Sequence, residues 1–234
     1  MLKILALGNS FSQDCTAHLE KMTSGAYVRN LYIGGCSLER HANNLETNAM
    51  AYALQKDGIE ISAEIVSANE IFASEDWDVI TVQQVSGKSG LYDSHYPYLT
   101  VVLEYIRKLC PTAKIVWNQT WAYATYSEHG DFPTYGCDQS KMFSMIEETS
   151  HRVAAENGLE IIEVGRAIQA LRENLPSDGT ELCRDGFHLS LDYGRYAAAY
   201  VWAKFFHLPV NCFTPDSTDQ NRIAKIQEIY DNLT

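Results

Sequence analysis

Five short runs of apolar residues recur along the chain and are followed by glycine or polar residues. They lie at residues 3–7, 28–33, 78–82, 114–117 and 160–164. Nearly continuous apolar runs of this length are typical of parallel strands that are buried on both faces of a sheet. We therefore predict five parallel strands. A weaker run at residues 59–66 indicates an edge strand or an extended crossover.

Longer segments with apolar residues at helical spacing lie between and after these runs. They predict helices at residues 14–24, 38–55, 95–109, 140–156, 191–206 and 217–233. Parallel strands need crossover connections, so this alternation favours an α/β fold. We predict a flavodoxin-like three-layer α/β/α sandwich with a five-stranded parallel sheet. Residues 1–234 are expected to form one domain, with the C-terminal helix packed on it and the functional residues at the carboxyl ends of the strands.

The charge of the chain restricts its binding partners. The 234 residues include 30 Asp and Glu but only 18 Lys and Arg, which gives a formal net charge of −12. Such a chain is repelled by nucleic-acid phosphates and by anionic membranes, so we expect neither partner. No apolar stretch reaches the length of a transmembrane helix, and the N-terminal residues do not resemble a signal peptide. The expected location is therefore the cytoplasm.

Metal and nucleotide sites are not indicated by the motifs. The six cysteines are scattered without a C-x-x-C pair, and the histidines outside the 185–188 segment show no metal-binding spacing. The segment Ser86-Gly87-Lys88-Ser89 lacks the first glycine of a Walker A loop, because Val82 stands there. We expect reduced thiols and no cofactor. Cys15 is interpreted as a buried apolar residue rather than a nucleophile.

The first candidate for chemistry is the segment Gly8-Asn9-Ser10-Phe11-Ser12, which follows the first predicted strand. A serine at a strand–helix junction lies near the backbone N–H groups of the helix start, where an anion is favoured. The simpler explanation is that one of the two serines only caps the helix.

The second candidate is the 185–188 segment D-G-F-H, which precedes the predicted helix at residues 191–206. A spacing of three residues in a turn lets the Asp185 carboxylate reach one imidazole nitrogen of His188 while the other faces outward. A carboxylate in that place orients a histidine that activates a serine. An ordinary Asp-Gly turn before a helix would give the same residues.

Together these two segments resemble the motifs of the SGNH (GDSL-like) hydrolase superfamily. Gly8-Asn9-Ser10 corresponds to the Gly-Asp-Ser motif, with Asn9 where Asp is commoner, and the 185–188 segment corresponds to the D-x-x-H motif. The resemblance implies a flavodoxin-like fold, Ser10 as nucleophile, His188 as general base and acid, and Asp185 as its orienting carboxylate. The full pattern is most similar to an uncharacterised branch of the superfamily.

The resemblance also implies an oxyanion hole made of the Ser10 amide, a glycine amide after the second strand and an Asn side chain after the third. Gly35 suits the glycine position, although a glycine there could serve only as a turn. No Asn follows the third predicted strand; the chain has Gln83 and Gln84 instead. Gln84 is our candidate donor, and Gln83 stays open because the strand register is not known.

These residues lead to a functional hypothesis. We expect a serine esterase that cleaves a small ester, such as an O-acetylated carbohydrate, through Ser10, His188 and Asp185. The alternative is a catalytically impaired protein of this fold that binds a carbohydrate or another small molecule, and the missing Asn is the reason to consider it. Aromatic residues are dense in the loop predicted at residues 123–138 and nearby; we favour a packing role for them over a sugar-binding one.

Overall fold

The strands lie in a single sheet. The computed structural model describes residues 1–175, 182–216 and 218–233. Within this part of the chain the sheet has seven strands in the order β4-β3-β2-β1-β5-β6-β7. They are β1 (Leu2–Gly8), β2 (Ala26–Tyr32), β3 (Tyr52–Lys56), β4 (Ile59–Val66), β5 (Val79–Val82), β6 (Lys114–Asn118) and β7 (Glu160–Ile162).

The five predicted parallel strands are confirmed as β2, β1, β5, β6 and β7, which pair in parallel in that spatial order. The prediction of a five-stranded sheet is wrong, because β3 pairs antiparallel with β2 and β4 pairs antiparallel with β3. The weak run at residues 59–66 is the edge strand β4, and β3 lies in the tail of a predicted helix. The sheet is therefore mixed.

Local backbone conformation accounts for the additional hairpin. The helix predicted at residues 38–55 ends at Thr47, and Asn48 caps it with a left-handed φ of 51°. The chain then reverses at Asp57 and Gly58, which both have positive φ. An Asp-Gly pair with positive φ at both residues is typical of a two-residue hairpin turn. The hairpin lies at the edge of the sheet, and most of β4 is exposed to solvent.

Nine α-helices occur in the described part of the chain. The predicted helix at residues 14–24 begins earlier, at Ser10, and is divided in two; the helices at residues 68–74 and 164–174 were not predicted. Ser217, the first residue of the last predicted helix, lies outside the described residues. The helices are α1 (Ser10–Thr16), α2 (Leu19–Met22), α3 (Leu38–Thr47), α4 (Ala68–Ser74), α5 (Tyr98–Leu109), α6 (Gln139–Asn157), α7 (Val164–Asn174), α8 (Tyr193–Phe205) and α9 (Gln220–Asp231).

The two faces of the sheet bury separate apolar cores. Alternate residues of β1 point to opposite faces: Ile4 and Ala6 pack in one core, and Leu5 and Leu7 in the other. The first core is shared with α1, α2 and α6–α9, and the second mainly with α3, α4 and α5. This arrangement agrees with the predicted three layers. No helix within the described ranges is long and apolar enough to cross a lipid bilayer.

The start of α7 lies against the segment that follows β6. The backbone N–H groups of Gly165 and Arg166 donate to the backbone and side-chain oxygens of Gln119. A Cβ atom on Gly165 would lie 2.1 Å from the backbone oxygen of Thr120. Only a glycine therefore allows the helix and this segment to come so close.

We predict that Gly165→Ala lowers the free energy of unfolding by about 1–3 kcal/mol, because the added methyl group overpacks a backbone contact. In an open helix the same change would stabilise the protein by up to about 1 kcal/mol. Urea unfolding followed by circular dichroism measures the difference. Gly130→Ala is the control, since a Cβ there meets no atom within 4 Å. An unchanged or higher stability of Gly165→Ala would contradict the close approach.

Candidate active site

Ser10 lies at the junction between β1 and α1. The strand ends at Gly8, Asn9 is the N-cap of the helix, and Ser10 is its first residue. The capping role that the sequence left open to a serine is thus taken by the Asn9 side chain, which accepts a hydrogen bond from the backbone N–H of Phe11 at 3.0 Å. The hydroxyl of Ser10 is therefore not used to cap the helix.

Asn9 is held by polar contacts on both sides. Its Nδ2 donates to the backbone oxygen of Cys36 at 3.0 Å, and its Oδ1 accepts a second hydrogen bond from Nε2 of Gln83 at 2.9 Å. An aspartate could not donate to the Cys36 oxygen, since an ionised carboxylate only accepts. The amide of Asn9 therefore connects β1 to the segment after β2 and to the segment after β5.

His188 lies between Ser10 and Asp185. Its Nε2 is 2.9 Å from Oγ of Ser10, and its Nδ1 is 2.7 Å from Oδ2 of Asp185. The other carboxylate oxygen of Asp185 accepts from the backbone N–H groups of His188 and Phe187, at 2.8 and 3.2 Å. The turn that brings these groups together passes through Gly186, which has a left-handed φ of 86°.

The ionisation of Asp185 follows from these contacts. Partial burial by itself raises the pKa of its carboxyl group, but the hydrogen bonds from the His188 ring and from the two backbone amides outweigh burial. The pKa of Asp185 is lowered as a result. A carboxylate that stays ionised keeps a hydrogen on Nδ1 of His188 and leaves Nε2 able to accept a proton from Ser10.

A cavity of about 230 Å³ opens beside Ser10 and His188. Gly34 and Gly35 line it from the segment after β2, and Ser86 from the segment after β5. The carboxyl ends of neighbouring strands therefore meet here, as predicted for this fold. Other lining residues include Tyr32, His129 and Phe187.

Gln84 is not among the residues lining this cavity, contrary to expectation. Its Nε2 donates to the backbone oxygen of Ser94 at 2.9 Å, and its Oε1 accepts from the backbone N–H groups of Leu38 and Val85. Gln83 is also engaged: besides its bond to Asn9, its Oε1 accepts from Nδ2 of Asn118 at 2.8 Å. The amides of Gln83 and Gln84 are thus bonded to other residues around the site, and neither glutamine is among the residues that line the cavity.

Asp14 lies one helical turn after Ser10 on α1 and is fully buried. Its carboxylate accepts from Nη1 of Arg184 at 3.1 Å, from Nε of Arg195 at 2.8 Å and from the backbone N–H of Leu189 at 2.9 Å. Arg184 and Leu189 flank the 185–188 turn on its two sides. Asp14 therefore fastens this turn to the helix that carries Ser10.

The remaining candidates lie outside the cavity. Cys15 is buried, and burial raises the pKa of its thiol, which makes it a poor nucleophile. Among the described residues, no group of three or more His, Cys, Asp or Glu side chains is placed to hold a metal ion. Free thiols in the described part of the chain include Cys15, Cys36, Cys110, Cys137 and Cys212. Among the aromatic residues in and near the loop predicted at residues 123–138, those fully buried are Trp117, Trp121, Tyr123, Phe132 and Tyr135.

Sequence reasoning did not identify Asp14 or assign a site role to His129. Asp14 is one acidic residue in a short helix, and the arginines that bind it are 170 and 181 positions away. No local sequence motif indicates such a contact. His129 lies in the loop predicted at residues 123–138, and only the course of that loop brings its ring to the cavity.

Comparisons with known proteins agree with this fold. Residues 3–230 match the model of the DUF4886 family, described as a domain of unknown function. The chain is 37% identical to a DUF4886 family protein of known structure from Bacteroides uniformis, with 99% of this chain and 93% of that chain covered and a TM-score of 0.87. No curated protein sequence matched the chain.

More distant structures are SGNH-type hydrolases. A proposed SGNH hydrolase from Slackia heliotrinireducens is 23% identical, with 88% of this chain and 98% of that chain covered and a TM-score of 0.63. The acetyl xylan esterase AlAXEase is 15% identical, with 88% and 98% covered and a TM-score of 0.54. These likenesses show the fold, which is that of SGNH hydrolases, as the sequence motifs implied.

We predict that Asp14→Asn lowers the free energy of unfolding by about 3–5 kcal/mol, because two buried or half-buried arginines lose their counter-ion. Urea unfolding measures the loss. Glu160→Gln is a matched control: it removes an exposed ion pair with Lys114, and such pairs contribute at most about 1 kcal/mol. Equal, small effects of the two substitutions would contradict the structural role of Asp14.

The lowered pKa of Asp185 predicts how its contribution to stability depends on pH. A carboxylate whose pKa is lower in the folded state stabilises the fold above its unfolded value of about 3.9, and this contribution is lost as the pH falls through the folded value. Asp185→Asn should therefore be less stable than the parent protein at neutral pH, and the difference should shrink below about pH 4. Urea midpoints at several pH values test this, with exposed Asp76→Asn as control. A difference that does not change with pH would contradict the prediction.

Proposed function

The chain belongs to the DUF4886 family, and we propose that it is a serine hydrolase that cleaves a small carboxylic ester. The observation that carries the proposal is the continuous contact from Ser10 through His188 to Asp185, with distances of 2.9 and 2.7 Å. This contact lies at the carboxyl edge of the sheet and opens into a cavity. The similarity of the fold to that of SGNH hydrolases supports the proposal by analogy.

The first chemical step is acyl transfer to the enzyme. As Oγ of Ser10 attacks the ester carbonyl carbon, its proton moves to Nε2 of His188. The imidazolium that forms is stabilised by the ionised carboxylate of Asp185. His188 then donates this proton to the leaving alcohol oxygen, the bond between the acyl carbon and that oxygen breaks, and an acyl-serine remains.

The second step returns the enzyme to its starting state. A water molecule transfers a proton to His188 and attacks the acyl-serine carbonyl. The bond to Ser10 breaks, and Oγ takes the proton back from His188 as the carboxylic acid leaves. The same histidine therefore acts as base and acid in both halves of the reaction. No group beyond those of the chain and water enters this scheme.

Backbone amides are the proposed oxyanion donors. Ser10 is the first residue of α1, where the N–H groups at a helix start have no partner within the helix, and Gly35 lines the same cavity. Gly35 has a left-handed φ of 60°. Gln84 is not a donor in the proposed oxyanion hole, because its amide donates to Ser94. One donor of this kind increases the rate by a factor of roughly 10²–10³.

We further propose that the substrate carries a small acyl group, such as acetyl, on a carbohydrate. A cavity of about 230 Å³ suits a short acyl chain together with part of an alcohol. The similarity in fold to an acetyl xylan esterase points in the same direction by analogy. The partner is thus a small-molecule ester, and we expect the reaction to take place in the cytoplasm without nucleic acid or membrane.

The alternative is a protein that binds a carbohydrate or another small molecule without turning it over. The engagement of both Gln83 and Gln84 favours this alternative, because neither supplies the side-chain donor usual in SGNH hydrolases. The hydrolase is preferred because a site used only for binding has no need of a serine, a histidine and a carboxylate in successive hydrogen-bond contact.

We predict that a fluorophosphonate probe forms a single covalent adduct on Ser10. Intact mass and peptide mapping detect it. Ser10→Ala should abolish labelling and lower the turnover of 4-nitrophenyl acetate by at least about 10³-fold without unfolding the protein, and His188→Ala should lower both strongly.

The control for this experiment is Ser62→Ala, which removes a hydroxyl from the exposed strand β4 and should leave labelling and turnover unchanged. A folded protein that shows no adduct and no ester turnover would contradict the hydrolase and favour the binding protein. Turnover that persists in Ser10→Ala would contradict the assigned nucleophile.

A further inference from the structure

The loop between β6 and α6 brings one histidine to the cavity beside Ser10. Several aromatic side chains of this loop are buried in the core below it, among them Tyr123 and Phe132. His129 is different, since 28% of its side chain is exposed and its ring lines the same cavity as Ser10 and His188. The mechanism proposed above makes no use of this ring.

A backbone hydrogen bond determines which nitrogen of His129 carries hydrogen. The backbone N–H of Asp131 donates to Nδ1 of His129 at 3.2 Å. A nitrogen that accepts a hydrogen bond has no hydrogen of its own, so the neutral ring carries its hydrogen on Nε2. His129 is therefore a donor through Nε2.

The ring of His129 is held in place by its neighbours. Its centroid is 4.7 Å from that of Tyr123 and 4.7 Å from that of Phe187, and the Phe187 ring in turn lies 4.0 Å from the ring of His188. Contacts of this kind fix the plane of an aromatic ring. The rings of His129 and His188 thus both contact the ring of Phe187.

A glycine permits the approach of the His129 loop to the neighbouring loop. A Cβ atom on Gly87 would lie 1.9 Å from Oδ2 and 2.6 Å from Cβ of Asp131. The turn that holds Nδ1 of His129 therefore packs directly on the segment after β5. Asp131 could not keep this position if residue 87 had a side chain.

The position of His129 relative to Ser10 indicates which part of the substrate it meets. In the proposed mechanism the carbonyl oxygen points to the amides of Ser10 and Gly35, and Gly35 follows β2, on one side of β1 in the sheet. The leaving oxygen must point to Nε2 of His188, which protonates it. His129 follows β6, on the other side of β1, and its ring contacts Phe187, whose ring in turn contacts that of His188.

We propose that His129 is a specificity residue that donates a hydrogen bond from Nε2 to a hydroxyl oxygen next to the ester oxygen of the alcohol. The enzyme then selects monoesters of vicinal diols, the arrangement found in sugars and glycerol, over esters of simple alcohols. This inference rests on the proposed ester hydrolysis and adds the group that recognises the alcohol.

The test compares two substrates of equal size, 2-hydroxyethyl acetate and propyl acetate, which differ by a hydroxyl in place of a methyl group. The parent protein should show a higher kcat/KM for 2-hydroxyethyl acetate, by about fivefold, as one neutral hydrogen bond gives. His129→Leu should reduce this ratio to about one. His129→Gln, which retains an N–H donor, should restore part of the preference.

His151→Leu is the control, because His151 is an exposed histidine on α6, outside the cavity lining, and its replacement should leave the ratio unchanged. A ratio that is the same in His129→Leu as in the parent protein would overturn the proposal, and so would an equal loss of activity on both acetates. If the parent protein gives neither a fluorophosphonate adduct nor turnover of 4-nitrophenyl acetate, the proposed hydrolase itself fails, and this inference fails with it. Normal labelling of Ser10 with an unchanged ratio overturns only the role of His129.

Discussion

The carboxylate of Asp14 holds together two parts of the structure that are far apart in the sequence. Ser10 and Asp14 lie on the same short helix, one turn apart, while Arg184 and Leu189 bracket the turn that carries Asp185 and His188. A buried carboxylate is tolerated only when it is paired and hydrogen-bonded, so these partners must stay in place. The contact between Ser10 and His188 depends on this ion pair, because it fixes the distance between the two segments.

A second set of buried polar contacts joins the ends of the strands. Asn9 is linked to Gln83, Gln83 to Asn118, and Oδ1 of Asn118 accepts from Nε1 of Trp202 on α8. Asn9 and Gln83 directly follow β1 and β5, Asn118 ends β6, and all three are buried, as is Trp202. A satisfied network of this kind permits essentially one arrangement, since a shifted strand would leave buried amides without partners. The network thus fixes the position of the residue before Ser10.

The parallel strands and the two motifs could be predicted because their signals are local: apolar runs, and a serine or histidine at a turn. The β3–β4 hairpin could not be predicted from helical spacing, since the residues after Thr47 continue the pattern and only the left-handed Asn48 ends the helix. The Asp57-Gly58 pair was a usable hairpin signal. The contacts of Gln84 depend on loop packing more than on the strand itself, and no pattern in the sequence reports them.

The two glutamines after β5 change how the proposed oxyanion hole is built. In place of a side chain directed at the substrate, they supply bonds that hold Asn9 and the loop around Ser94. In the proposed site only backbone amides then stabilise the oxyanion. The absence of one donor lowers the rate by a factor of roughly 10²–10³. In such a site, contacts with the alcohol contribute a larger share of the rate. They hold the substrate in the productive geometry, and this offsets part of the loss. His129 and Phe187 line the cavity, and the proposed hydrogen bond from His129 to the alcohol is a contact of that kind.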